Sequence, residues 1–291
     1  MKQAFIEKRF NKKSAEIIEQ ANVIIEEYSK QDLVLTIRQL YYQFVGRGLL
    51  DNTSANYKRI VNIINDARLA GLVDWRAIED RTRNVVSVST WENPASIVES
   101  AVYSYRTDKW LNQPYHVEVW IEKEALTGVI SQICTQVEVP YFACRGYVSQ
   151  SEMYSSAQRL AHLNKPCIIL HLGDHDPSGI DMTRDNDDRL DLLSGNADIT
   201  VKRIALNMPQ IKKYAPPPNP TKLTDSRATG YLEKFGKSSW ELDALSPTVL
   251  RNLIKKEVAK YRDDERWEAD LESQENDRVS LENALSDLRS K

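Results

Sequence analysis

Between Tyr115 and Leu206 the chain alternates four short apolar runs with amphipathic stretches, and this alternation restricts the fold more than any other feature. The runs are 117–121, 139–144, 167–172 and 199–206; helical patterns follow at 124–136, at 151–162, at about 178–193 and, briefly, around Gln210. Apolar runs of roughly four to eight residues bounded by turn residues read as strands buried on both faces. Parallel neighbours need a crossover, usually a helix, so this order predicts an α/β unit with a mostly parallel sheet and helices on both faces. Ligands of such sheets bind outside the carboxyl ends of the strands. Two runs deliver acids there: 117–121 ends in Glu122-Lys123-Glu124, and 167–172 in Gly173-Asp174-His175-Asp176-Pro177-Ser178-Gly179.

Carboxylates at two strand ends suit a hard divalent cation. Mg²⁺ takes one or two carboxylates, several waters and commonly a phosphate, so the pattern points to a metal-dependent enzyme acting on phosphate. The expected ligands are Glu122, Asp174 and Asp176, with Mn²⁺ as a substitute for Mg²⁺. Glu122 is preferred to Glu124 because it sits at the strand end, whereas Glu124 opens a helix, where an acid meets the dipole favourably. His175 reads as exposed or standing behind the ligands, since oxygen donors already suit Mg²⁺. A bare Asp-x-Asp is often only a turn; the preceding strand and the second acid-ended strand separate this instance from that background.

The N-terminal third is helical. Residues 14–29 carry an apolar stripe of Ile17, Ile18, Ala21, Ile24, Ile25 and Tyr28. Thr36 followed by Gln39 is a capping-box pattern that starts a short helix, which Gly46 and Gly48 can end. A further helix runs from about 54 to 69. Leu72-Val73 and Val85-Val86-Ser87-Val88 read as strands of a wing, completing a winged helix-turn-helix; small helical units that do not touch DNA share this pattern. In the short helix Tyr41 falls on the core face. Tyr42 lies at its border, one turn after Arg38. A phenol is a poor nucleophile unless its anion is favoured, which a guanidinium can do; a Tyr-Tyr pair more often simply packs.

Net charge is −3, but the charges are unevenly placed. From Leu33 to Val73, Arg38, Arg47, Lys58, Arg59 and Arg68 face only Asp51 and Asp66, whereas Asp174 to Asp191 holds seven aspartates against Arg184 and Arg189. A basic segment beside an acidic metal site is compatible with an enzyme of DNA, with Lys58, Arg59 and Arg68 touching phosphates. Three scattered cysteines, Cys134, Cys144 and Cys167, fit neither a disulfide framework nor a zinc site and suggest a reducing compartment. Neither a signal peptide nor a membrane-length apolar run is apparent, so the expected location is cytoplasmic, or nucleoid-associated in a bacterium. Pro216-Pro217-Pro218 opens an extended linker, residues 221–239 read as a mobile loop, a helix starts at Ser246-Pro247, and the charged end reads as an exposed or partner-packed helix. Three units follow: residues 1–112, 113–214 and 215–291.

Arg38-Gln39-Leu40-Tyr41-Tyr42, Ile121-Glu122-Lys123-Glu124-Ala125 and Gly173-Asp174-His175-Asp176-Pro177-Ser178-Gly179, in this order, resemble the A subunit of type IIB DNA topoisomerases (topoisomerase VI) and the related meiotic double-strand-break protein. The resemblance spans residues 35 to about 210, and the short chain looks most like the compact stand-alone relatives. It implies a winged-helix domain bearing a catalytic tyrosine, a Toprim domain for metal and a helical C-terminal extension. Tyr42 would be the nucleophile, Arg38 its aid at the scissile phosphate, Glu122, Asp174 and Asp176 the metal acids, and Arg145 a DNA contact. It implies a 5′-phosphotyrosyl link to double-stranded DNA, formed by a homodimer in which each site combines the tyrosine of one protomer with the metal acids of the other. The metal would stabilise charge on the phosphate. Gln39 stands where the family often has an acid, and Arg145-Gly146-Tyr147-Val148-Ser149 where it typically has Gly-Tyr-Pro. No phosphate loop for ATP is present, so strand passage would need a separate ATPase subunit. Two rivals stay open: a hydrolytic Toprim nuclease that does not use Tyr42, and a non-catalytic DNA-binding accessory protein.

Overall fold

The computed structural model describes residues 2–31, 33–79 and 88–289. The four apolar runs form strands β1 (His116–Ile121), β2 (Tyr141–Ala143), β3 (Cys167–Leu172) and β4 (Ile199–Ala205) of one parallel sheet, in the order β2-β1-β3-β4. Each strand alternates its faces. Val117, Val119 and Ile121, with Ile168, Leu170 and Leu172, turn to one side; Trp120 and Ile169 turn to the other. The first side is covered by α5 (Thr127–Gln136), α8 (Met208–Tyr214) and α10 (Pro247–Val258), the second by α6 (Gln150–Ala161) and α7 (Pro177–Ser194).

This order sets the crevice. β1 leads outward to β2 on one side, while β3 leads outward to β4 on the other, so the central pair β1 and β3 is the point where the winding reverses. That reversal opens a gap between the connections leaving the two strands, at their carboxyl ends. Glu122 and Asp174 stand at this gap.

The N-terminal unit is a separate apolar cluster of α1 (Lys12–Ser29), α2 (Ile37–Gly46) and α3 (Ser54–Leu69). Its caps are those of the sequence pattern: Thr36 and Gln39 close a reciprocal capping box on α2, and Thr53 caps α3. The first of the two expected wing strands is not formed. Leu72 and Val73 lie in a turn after α3 rather than in a strand, because Gly71, at φ 73°, reverses the chain there. Val85, Val86 and Ser87 lie outside the described residues.

One other expectation is corrected. Residues 221–239 are ordered locally: α9 (Ala228–Phe235) lies within them, and Ser238–Ser239 pair antiparallel with Asn219–Pro220. The final helix α11 (Asp264–Arg289) is largely exposed, one of the two readings of the charged end, and its few buried residues pack on its own chain. Trp267 stacks edge-on against Trp110, and Gln274 accepts from the buried Lys109 ammonium at 3.0 Å. A helix that carries little apolar surface can still dock when a few large residues enter a preformed core. α4 (Pro94–Ser104), whose Asn93-Pro94 start signal went unread, packs beside α11. Among the described residues no helix is long and apolar enough to cross a membrane.

Candidate functional site

β1 and β3 are hydrogen-bonded neighbours with Ile121 opposite Leu172, so the next residues leave the sheet side by side. The Asp174 amide donates to Glu122 Oε2 at 2.8 Å. Glycine makes this approach possible. A Cβ on Gly173 would lie 3.0 Å from Glu122 Oε2, and one on Gly179 would collide with the Asp174 carbonyl oxygen. Asp176 caps α7, its Oδ1 accepting from the Gly179 amide at 2.6 Å and from Ser178 Oγ at 3.0 Å. Arg203 on β4 supports the loop from below, donating to the carbonyls of Gly173 and Gly179 at 2.9 and 2.8 Å, and to that of Asp174.

The acids are short of positive charge. Burial, with Glu122 and Asp243 adding to it against Lys123, pushes Asp174 up to about 7. Glu122 is also raised, first by burial and then by Asp176. Such carboxylates suit a hard cation in their donor chemistry. As the side chains stand they do not close around one. Asp174 Oδ1 accepts from the Leu242 amide at 2.7 Å and its Oδ2 pairs with Lys123 Nζ at 2.9 Å. Among the described residues no three His, Cys, Asp or Glu side chains converge as a metal-holding set.

Tyr42 reaches the same place from α2. Both tyrosines are buried: Tyr41 is fixed by Asn52 Oδ1 and the Thr53 carbonyl, each at 3.1 Å, whereas the Tyr42 hydroxyl lies beside the Glu241 carboxylate. Burial, then the charges of Asp243 and Glu241, holds the Tyr42 phenol well above its ordinary range, and Arg38 opposes them only in part. Arg38 lies 5.9 Å from the Tyr42 ring, but its guanidinium is committed to Glu241 and to Asp243, the latter at 2.6 Å. Lys123 joins the same cluster, 3.0 Å from Glu241 and 3.1 Å from Asp243. The two cations hold Glu241 down to about 2 against its burial.

A cleft of about 370 Å³ collects these groups. Arg38, Tyr42, Asp174, Asp176, Asn219 and Glu241 are among the residues on its walls. One chain therefore brings Tyr42 to the cleft that holds Asp174 and Asp176, where the resemblance puts tyrosine and acids on different protomers. Glu122 lies just behind Asp174.

The expected DNA contacts divide. Lys58 and Arg59 are exposed on α3, whose first residues, Thr53 and Ser54, border the cleft. Arg145 is exposed and pairs with Glu124. Arg68 is turned inward: it donates to the carbonyls of Trp75 and Ile78 at 3.0 and 3.3 Å and stacks on the Trp75 ring, so its charge serves the N-terminal fold. His175 is likewise not exposed. It is buried among Tyr231, Phe235 and Trp240, with Nδ1 2.7 Å from the Tyr231 hydroxyl, and burial lowers it to about 4.

Lys123, Arg203, Asn219, Glu241 and Asp243 escaped the sequence reading. Arg203 had a signal, a charge inside an apolar strand run, and Lys123 stands between two acids at a strand end. Asn219, Glu241 and Asp243 had none, because the chain between residues 215 and 245 lacks periodicity. The chain matches no protein-family model and no curated protein sequence.

Proposed function

We propose that this protein cleaves and rejoins double-stranded DNA, with Tyr42 as nucleophile and Glu122, Asp174 and Asp176 as the residues that would hold Mg²⁺. The observation that carries this reading is the shared cleft: a tyrosine, a guanidinium and two strand-end acids on the walls of one cavity. In the reaction the Tyr42 oxygen forms a bond to phosphorus as the P–O3′ bond breaks. The phenolic proton is lost, the departing 3′ oxygen gains one, and the 5′ phosphate remains on the tyrosine; the reverse steps reseal the strand. Arg38 would neutralise phosphate charge beside the attacking oxygen. A homodimer, a winged-helix DNA mount and a separate ATPase subunit for strand passage belong to the same proposal.

A second reading has its own support. Tyr42 is buried and its phenol is held protonated by Asp243 and Glu241, which favours attack by water in a hydrolytic nuclease with the same acids. Supercoiled plasmid incubated with the protein and Mg²⁺ or Mn²⁺, stopped with detergent and run with and without protease, separates the two. Broken DNA whose 5′ ends carry protein, lost in Tyr42→Phe, supports the tyrosine route. Cleavage with free ends that survives Tyr42→Phe supports hydrolysis. No cleavage by the parent under either metal would leave DNA binding without catalysis.

A further inference from the structure

The Glu241 carboxylate is gripped by three donors from three parts of the chain. Arg38 comes from α2, Lys123 Nζ from the end of β1 at 3.0 Å, and Asn219 Nδ2 from the segment after α8 at 3.2 Å; the Tyr42 hydroxyl, one turn beyond Arg38, lies beside them. Asn219 is set by Asn52, whose Nδ2 donates to Asn219 Oδ1 at 2.6 Å; that bond turns the Asn219 amino group toward Glu241. Two cations and an amide around one anion, with a hydroxyl beside them, make a set of donors suited to an oxyanion. A guanidinium beside a lysine is a common pairing for phosphate.

The two acids of the cluster differ in their freedom. Asp243 is 3% exposed, in a turn between the fully buried Leu242 and Ala244, which packs on the N-terminal core. Glu241 is 28% exposed, on the cleft wall with Arg38, Tyr42 and Asn219. Its side chain can swing toward solvent while Asp243 continues to balance Lys123 and Arg38.

We propose that Arg38, Lys123, Asn219 and Tyr42 form the protein's phosphate-binding site, and that the Glu241 carboxylate is its resident stand-in, displaced when a phosphodiester enters. The inference rests on the reading above for the identity of the phosphate as DNA and for the role of Tyr42. Displacement places a phosphate oxygen beside the Tyr42 hydroxyl, which brings the reacting group of the proposed reaction to the tyrosine in the same exchange.

The test is inorganic phosphate titrated calorimetrically into the parent chain, Glu241→Gln, and Glu241→Gln combined with Arg38→Gln. Glu241→Gln should bind phosphate roughly tenfold more tightly than the parent, and the Arg38→Gln change should remove the gain. A folded Glu241→Gln that binds phosphate no better than the parent overturns the proposal. Should that variant fail to fold, the parent decides: the Asn219 side-chain amide resonance should move as phosphate is added, and a resonance that stays in place overturns the proposal. A short DNA duplex is titrated alongside. Tighter phosphate binding with no duplex binding by any variant keeps the phosphate site and removes the DNA reading.

Discussion

Gly179 shows how much of the site depends on a missing Cβ. With Glu122 Oε2 3.1 Å from where that atom would sit and the Asp174 carbonyl closer still, Gly179→Ala forces backbone to move and should cost about 1–3 kcal/mol in denaturant unfolding. Gly230, with nothing near its Cβ position, serves as the control. Asp174 carries the opposite expectation. Its folded carboxyl is pushed up to about 7, so the folded state holds the proton that the unfolded chain has already lost above about pH 4. Stability from this group is therefore present at low pH and is lost as pH rises through 7. In chelator, Asp174→Asn should raise the melting temperature at pH 8, by an equivalent on the order of 2 kcal/mol, and the advantage should shrink toward pH 5. A variant that melts lower at both pH values would show that the Lys123 and Leu242 contacts outweigh the charge. The glycines and the Asp-x-Asp were legible in the sequence because turn chemistry is local. Burial of His175 was not, because the residues that cover it come from positions 231–240.

At the scale of elements, β1 buries Glu118 on the side of α6. The carboxylate accepts from Trp120 Nε1 at 3.0 Å and from Arg159, and lies 2.9 Å from His116 Nε2. Burial would raise it, but these partners hold it down to about 2. This sign is the reverse of Asp174: the contribution is present above the unfolded value near 4.5 and is lost as pH falls toward 2. Glu118→Ala should cost about 1.5–3 kcal/mol at pH 7, with most of the difference gone near pH 2; equal denaturant midpoints at pH 7 would contradict this. Strands and long helices were readable because hydrophobic periodicity reports which face an element buries. Wing strands were misread at Leu72 and Val73, where two apolar residues imitate a strand but Gly71 turns the chain. α4 and α9 were missed because neither carries a wide apolar stripe: each buries at most two side chains.

For the whole molecule, α3 and the cleft form one surface. Lys58 and Arg59 are exposed directly after Tyr57, which borders the cavity with Thr53 and Ser54, and on the proposed reading they meet DNA phosphates beside it. Replacing either with Gln should weaken duplex binding for all sequences alike and lower the slope of log affinity against log salt by about 1; a loss confined to one sequence would mean base reading instead. Arg68→Gln should leave that slope unchanged and lower thermal stability, since its partners are the carbonyls of Trp75 and Ile78. The sequence by itself determined the parallel sheet, the placing of Glu122, Asp174 and Asp176 at its carboxyl edge, and the capped helix that carries Arg38 and Tyr42. These follow from short-range rules of periodicity, capping and turn sterics. Only the tertiary structure decided that Tyr42 and the acids share one cleft, that Arg68 faces inward, and that Glu241 and Asp243 neutralise Arg38 and Lys123. Those outcomes depend on electrostatic pairing between segments far apart in the chain, and a charge has no periodicity to announce which distant partner will balance it once both are withdrawn from water.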